Sequence, residues 1–356
     1  MGSGELASTM VEVHKELLFR LGGSPRAVFV DTPAGFQPNA DEISTKAVAY
    51  FKQRVNHPLA IASLKTREKI SGSETKAPLG GLESADYILI GPGSPSYAAR
   101  QWQGTRISEV FIDRIEAGAC FVAASAAALT LGRFTLPVYE IYKVGEDLHW
   151  IDGIDLLNHF GFNLVVIPHW NNMDGGTHDT RFCFMGKPRM DRLMALLPGH
   201  VGILGIDEHT ACILDLEANT AEIKGIGGAT LMGRDLEIHF KTREIFSLDV
   251  LRQFRSMETG TNPAISPAAS PIPTIPPEKG PSCPGAPPSI RRVVEDGFSS
   301  RPMESLKILV DSLLELRSAY RKAKQFKEAD ALRECLEKAG IRIEDRENQS
   351  FWRMDD

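Results

Sequence analysis

The stretch Cys120-Phe121-Val122-Ala123-Ala124-Ser125-Ala126-Ala127-Ala128 opens as a short apolar run and passes at once into small residues around one hydroxyl. The run reads as a buried strand. A strand that stops at a lone Ser among alanines has two readings. In one, Ser125 caps a helix behind a core strand. In the other it is a nucleophile elbow, where the backbone turns so sharply that only small neighbours fit and the Oγ is lifted above the sheet edge. The alanines that follow suit the first turn of a helix, whose free N–H groups and dipole favour a nearby oxyanion.

The surroundings of this stretch repeat its pattern. Strand-type runs at Arg26–Val30, Leu59–Leu64, Tyr87–Ile90, Asn163–Ile167 and Val201–Ile206 alternate with helical patterns at Ser8–Leu21, Asn39–Val55 and Ser108–Ala117. Asn39 with Glu42 has the spacing of a capping box, and Gly22-Gly23 has the composition of a helix stop. Strands alternating with helices predict an α/β fold, a doubly wound, mostly parallel sheet. The pattern changes at Ala211–Leu214 and Ala221–Lys224, which flank a turn-rich segment and predict an antiparallel meander at the sheet edge. Met1-Gly2-Ser3-Gly4-Glu5 is a glycine-rich turn of the kind that follows a strand, with no strand residues before it. Either the true start lies upstream or the sheet lacks one strand.

From about Gly260 to Pro288, proline, serine and alanine dominate, a composition that cannot build a core. Three regions are therefore expected: an α/β domain over residues 1–255, a Pro-rich disordered linker over 256–300, and a small module over 301–356. In the last, Leu306, Leu309, Val310, Leu313, Leu316 and Tyr320 share one helix face. Ala329, Leu332, Cys335 and Leu336 share a second, and Gly340 precedes a strand at Ile341–Glu344. This predicts a C-terminal helical hairpin with a short β tail.

Bulk properties narrow the function. The 356 residues are 42% hydrophobic and carry a net charge of −6, so no global basic field draws nucleic acid. No apolar run is long enough to cross a bilayer, and the N-terminus lacks the order of a secretory signal. The five cysteines are scattered without CxxC, which suits reduced thiols in the cytoplasm. His169, His178, Asp179, His200 and His209 are ligand types without a compact ligand spacing, so neither a metal nor a cofactor is expected.

In doubly wound sheets, ligands sit outside the carboxyl ends of the strands. Ser125, His169 and Glu208 each fall just after an apolar run, at that edge. A Ser nucleophile needs a base within reach and an acid to orient the base. Each residue alone has a plainer reading, as cap, core histidine or solvated acid. All three residue types are present where the fold would bring them together. Gly93, Ser94 and Ala126 could supply backbone N–H donors to an oxyanion, and Gly91-Pro92-Gly93 reads equally well as a tight turn.

These blocks resemble a family. Gly2-Ser3-Gly4-Glu5, Gly91-Pro92-Gly93-Ser94, Ala124-Ser125-Ala126, Pro168-His169 and Gly205-Ile206-Asp207-Glu208-His209-Thr210-Ala211 are similar to the peptidase E and cyanophycinase group. These are serine hydrolases on a class I glutamine-amidotransferase-like fold. The resemblance spans about residues 1–240 and implies Ser125 as nucleophile, His169 as base and Glu208 as third member. Glu140 is the second candidate acid. It also implies a peptide or isopeptide substrate containing an aspartyl group. Arg181 is the candidate anchor for a substrate carboxylate, with a surface Arg as its plainer reading. The elbow departs from the family, with Ala123 and Ala127 where glycines stand.

Residues 306–353 resemble the C-terminal anticodon-recognition module of cysteinyl-tRNA synthetases. Arg321-Lys322-Ala323-Lys324-Gln325-Phe326-Lys327-Glu328-Ala329-Asp330, Leu332-Arg333, Gly340-Ile341, Glu344-Asp345 and Trp352-Arg353 carry the likeness. It implies that Arg321, Asp330 and Asp345 contact anticodon bases and that Phe326 stacks on one. The plainer reading is a hairpin for packing or for a homodimer. No HIGH-like or KMSKS-like signature and no zinc-binding cysteine set is present, so charging of tRNA is not expected. The reading is a serine hydrolase with a tRNA-recognition-like tail. The alternative is a non-catalytic binding protein whose tail holds RNA.

Overall fold

In the computed structural model the apolar runs of the first part become parallel strands buried on both faces. The structure describes residues 1–71 and 76–254, then 310, 313–314, 317, 329–330, 332–333, 336–337, 341–346 and 349–354. The chain divides into two compact units, Met1–Ile265 and Ser266–Asp356. The expected linker lies outside the described residues.

In the first unit, β1 (Ala27–Val30), β2 (Ala60–Ala62), β3 (Tyr87–Ile90) and β4 (Cys120–Ala123) form a parallel sheet in the order β2-β1-β3-β4. After β5 (Phe134–Thr135) and β6 (Ile151–Asp152), which pair only with each other, come β7 (Leu164–Ile167) and β8 (Gly202–Ile206), again parallel. Strands buried on both faces must be apolar at every position. Accordingly β1, β3, β7 and β8 contain no exposed residue. Period two then sorts their side chains. Val28, Val30, Ile88 and Ile90 enter one core cluster with Leu164, Val166, Leu204 and Ile206. Ala27, Phe29, Tyr87 and Leu89 enter a second, on the other face.

The remaining strands are antiparallel. β9 (Thr210–Asp215), β10 (Thr220–Gly225) and β13 (Ile245–Ser247) form one sheet, ordered β13-β10-β9. β11 (Ala229–Met232) returns along β8 and carries β12 (Glu237–Phe240). The meander is thus larger than the sequence pattern showed. A 3-10 turn at Ser8–Met10 runs into the helix Val11–Leu21, which stops at Gly22 with φ +69°. The capping box does not form: Asn39 makes no side-chain cap, and the helix Ala40–Tyr50 widens into one π-turn at Phe51–Val55.

In the second unit the described residues support the hairpin pattern. Val310, Leu314, Leu336, Ile341 and Ile343 pack into one small cluster. The β tail is a full hairpin, β14 (Ile341–Arg346) against β15 (Gln349–Met354). The second strand, which includes Trp352, was not legible as β from its pattern. Among the described residues no helix is long and apolar enough to cross a membrane.

Candidate active site

Because β3, β4, β7 and β8 end at one edge, the loops after them share a surface, and the candidate residues meet there. The chain leaves β4 through Ala124 and reaches Ser125 at φ 51° and ψ −117°. An L residue seldom takes this conformation, at a cost of about 1–3 kcal/mol. The turn is pinned on both sides. Ala124 N–H donates to the Ile90 carbonyl, Ser125 N–H to the Met1 carbonyl, and Ala127 N–H to the Ala124 carbonyl. Ala123 and Ala127 are buried without preventing the turn, so it forms without the family glycines.

Ser125 Oγ lies 2.9 Å from His169 Nε2. His169 Nδ1 lies 2.8 Å from Glu208 Oε1. A carboxylate only accepts, so Nδ1 carries the proton and Nε2 is left to accept from the hydroxyl. Glu208 is itself held. Its Oε1 accepts from Asn172 Nδ2 at 3.0 Å, and its N–H donates to Asn171 Oδ1 at 2.8 Å. Glu140, the second candidate acid, accepts from Ser96 Oγ at 2.5 Å and makes no contact with His169.

Sequence reasoning did not single out Asn171 and Asn172, although only Trp170 separates them from His169. It also missed Met1 and Gly2 as site residues. The Met1 carbonyl takes the Ser125 N–H and the Gly2 carbonyl takes the His169 N–H at 3.3 Å, so two residues fix the backbone of both partners. A third omission is the left-handed run Phe182-Cys183-Phe184, with φ of 59°, 55° and 68°. Its amides at 182 and 183 bond the carbonyls of Trp170 and His169, and the Phe184 ring lies 6.2 Å from the His169 ring. No local composition signal announces three non-glycine residues in that region.

The Gly205–Ala211 block divides its tasks. A Cβ on Gly205 would stand 2.2 Å from the Trp170 ring, so glycine there lets the residue after His169 pack flat on β8. Asp207 Oδ2 accepts from the Gly228 N–H and ties the loop to β11. Thr210 Oγ1 donates to the Glu208 carbonyl. Glu208 alone faces His169.

Other expectations fare differently. The Ser94 N–H donates to the Pro33 carbonyl at 2.9 Å, and its Oγ caps the helix Pro95–Trp102. It is therefore not a free donor, which corrects its assignment to an oxyanion site. Gly93 takes φ +147° with its Cα against the Pro33 carbonyl. Ala126 begins the helix Ala126–Leu129, where N–H groups have no intrahelical acceptor. Arg181 spends its fork on Asp179, with Nε and Nη2 each 2.9 Å from a carboxylate oxygen. That pairing holds the Asp179 carboxyl well below its ordinary range and occupies the edge a substrate carboxylate would need. Asp330 is helical and exposed, and Asp345 lies opposite Ser350 in β14. Arg321 and Phe326 lie outside the described residues.

Two buried groups adjoin the site. Glu5 is almost wholly buried, which pushes its carboxyl pKa up, against the opposing pull of the Met1 amine, His169 and His209. His14, fully buried, bonds the Glu5 carbonyl through Nε2 and Tyr87 Oη through Nδ1, both at 2.6 Å. Burial lowers its pKa to about 4. Among the described residues no three His, Cys, Asp or Glu side chains gather as metal ligands.

The α/β domain is thus mostly parallel, with Ser125, His169 and Glu208 in hydrogen-bond contact at adjoining strand ends. The first part shares its fold with the crystal structure of a peptidase from an acI-B1 Actinobacterium. The TM-score is 0.57 and the identity 20%, covering 69% of this chain and 94% of that one. A putative peptidase E protein from Listeria monocytogenes EGD-e gives a TM-score of 0.41 at 14% identity, over 68% of this chain and 96% of that one, too low for comparing the folds strand by strand. Residues 305–353 match the family model of the cysteinyl-tRNA ligase anticodon binding domain. The cysteine–tRNA ligase of Thermoplasma volcanium is 45% identical over 56 residues, which are 16% of this chain. The chain thus spans only 12% of that relative's length.

Proposed function

We propose that the first unit is a serine hydrolase of the peptidase or amidase type, with Ser125 as nucleophile, His169 as general base and Glu208 as orienting acid. The observation that carries this reading is the continuous relay from Ser125 Oγ through His169 to Glu208, at 2.9 and 2.8 Å, on a strained elbow. His169 takes the hydroxyl proton as Oγ attacks a carbonyl, and Glu208 stabilises the imidazolium that results. The N–H groups of Gly93 and Ala126 are the proposed oxyanion donors. The proton then passes from Nε2 to the leaving amine, and water releases the acyl group by the same route. No metal or cofactor enters these steps. Peptides or isopeptides with aspartyl groups are the substrate class to try first.

The tail is proposed to hold tRNA, which would set the protein's work in the cytoplasm. The family match over residues 305–353 supports this reading. Two experiments test the proposal. A small fluorophosphonate should label Ser125, and Ser125→Ala should abolish the label; a wild-type protein that no small probe labels removes the hydrolase reading. In a shift assay the full chain should retain tRNA and a chain lacking residues 301–356 should not. Equal binding by both removes the tail from the argument.

A further inference from the structure

In the proposed reaction His169 Nε2 gives its proton to the leaving amine, so the residue carrying that amine must pass over His169. The acyl oxygen goes the other way, to the N–H groups of Gly93 and Ala126. Whatever packs beyond His169 therefore meets the leaving residue.

Phe184 stands there. Its ring lies 6.2 Å from the His169 ring, tilted by 43°. It ends a run of three consecutive non-glycine residues at positive φ, Phe182, Cys183 and Phe184. Such backbone costs free energy at each residue and persists only where the surroundings over-determine it. Here they do. The Phe182 N–H donates to the Trp170 carbonyl, the Cys183 N–H to that of His169 and the Phe184 N–H to that of Thr180. The Phe182 ring meets Trp170 edge-on at 4.5 Å. Phe182 and Cys183 are buried in the core, whereas Phe184 is only half-buried. Core packing thus accounts for the first two side chains and leaves the third beside the base.

A second irregular segment backs Phe184. The π-turn Glu140–Val144 is tied down by Glu140, which accepts from Ser96 Oγ. π-turns recur at functional sites. This one sets the Tyr142 ring 5.3 Å from Phe184. Tyr142 Oη lies 3.1 Å from His178 Nε2, and the two rings stack. Lys143 Nζ lies 5.0 Å over the Tyr142 ring. Covered by His178 and Lys143, Tyr142 is placed to brace Phe184 rather than to meet substrate.

We propose, on the hydrolase reading of Ser125, that Phe184 forms the subsite for the leaving residue and selects an aromatic or large aliphatic side chain there. Phe184 is the binding residue and Tyr142 a positioning residue. A side chain laid on the Phe184 ring loses apolar area to water and gains ring contact that a methyl group cannot make. The Lys143 ammonium disfavours a leaving residue of like charge.

The test uses the full-length chain and four dipeptide amides, Asp-Phe, Asp-Leu, Asp-Ala and Asp-Lys, with kcat/KM read from release of the second residue as its amide. The Phe and Leu members should exceed the Ala member about tenfold or more, and the Lys member should fall below the Leu one. Each variant is judged by its own Phe-to-Ala ratio, which cancels any change in the reactivity of Ser125 and His169. That ratio should drop to within about threefold of unity in Phe184→Ala and fall partway in Tyr142→Ala. A ratio unchanged in Phe184→Ala, or a wild type that prefers the Ala or Lys member, overturns the proposal. If near-ultraviolet circular dichroism shows Phe184→Ala unfolded, the ratio in Tyr142→Ala decides. Fluorophosphonate labelling separates this proposal from the one beneath it, because the departing fluoride carries no side chain. A labelled Ser125 with no cleavage of the Phe member overturns the subsite and leaves the hydrolase reading standing. A Ser125 that does not label removes both.

Discussion

Replacing Glu208 by Gln removes one negative charge and keeps the shape of the side chain. In the proposed mechanism His169 becomes an imidazolium as Ser125 reacts; its Nδ1 sits 2.8 Å from Glu208 Oε1. At an effective dielectric of about 20, two unit charges at that separation attract by about 6 kcal/mol. Water reaches both groups, whose side chains are 20% and 28% exposed, which screens the pair. The Gln amide oxygen still accepts a neutral hydrogen bond, supported by Asn172. The expected loss is therefore about 2–3 kcal/mol, or a labelling rate by fluorophosphonate lowered about 30- to 150-fold. Glu140→Gln, which disturbs only the bond from Ser96, should label within about threefold of wild type, a change of less than 1 kcal/mol. Rates come from timed quenching and mass spectrometry of the Ser125 peptide. If Glu208→Gln labels at the wild-type rate while Glu140→Gln is slow, the acid has been wrongly chosen.

The strain at Ser125 predicts that Ser125→Gly is more stable than Ser125→Ala by about 1–2 kcal/mol, since glycine meets φ 51° and ψ −117° at little cost. Urea midpoints with equal slopes would measure this, and an Ala variant as stable as the Gly one contradicts the strained elbow. Gly205→Ala puts a methyl 2.2 Å from the Trp170 ring and should cost about 1–3 kcal/mol, with labelling of Ser125 lost as His169 moves; normal labelling would mean that Trp170 does not position the base. His14, with a pKa of about 4 against an ordinary 6.5, binds its proton first in the unfolded chain. Its contribution is therefore full above pH 6.5 and falls as the pH drops towards 4, by about 2 kcal/mol at pH 5. Denaturation at pH 7 and pH 5 should show that slope in the wild type and a flatter one in His14→Gln, and identical slopes would place the proton uptake elsewhere.

Much of the site was legible because its residues lie at the ends of apolar runs. A run such as Leu164–Ile167 has to be a buried strand, and whatever follows a parallel strand stands at the sheet's carboxyl edge. That reasoning reached Ser125, His169 and Glu208 from the chain alone. It failed where one residue type serves two partners. Ser94 is as good a helix cap as it is an amide donor, and Arg181 as good a partner for Asp179 as for a substrate. The capping-box pattern at Asn39 failed similarly, since spacing permits the bond without requiring it.

By itself, the sequence determined the alternation of strands and helices, the break in composition after the α/β domain, and the type of chemistry available at the strand ends. These are set by periodicity and residue type, which act over a few positions. Only the tertiary structure decided that Glu208 rather than Glu140 meets His169, that Asn171 and Asn172 hold that acid, and that Met1 and Gly2 brace the backbones of Ser125 and His169. Those contacts join residues far apart in the chain, so they depend on the register between strands and on the positive-φ turns at Ser125 and at Phe182-Cys183-Phe184. No local pattern encodes either. At Ser125 the two meet: the run of small residues permitted the turn, and the bonds to Ile90 and Met1 imposed it.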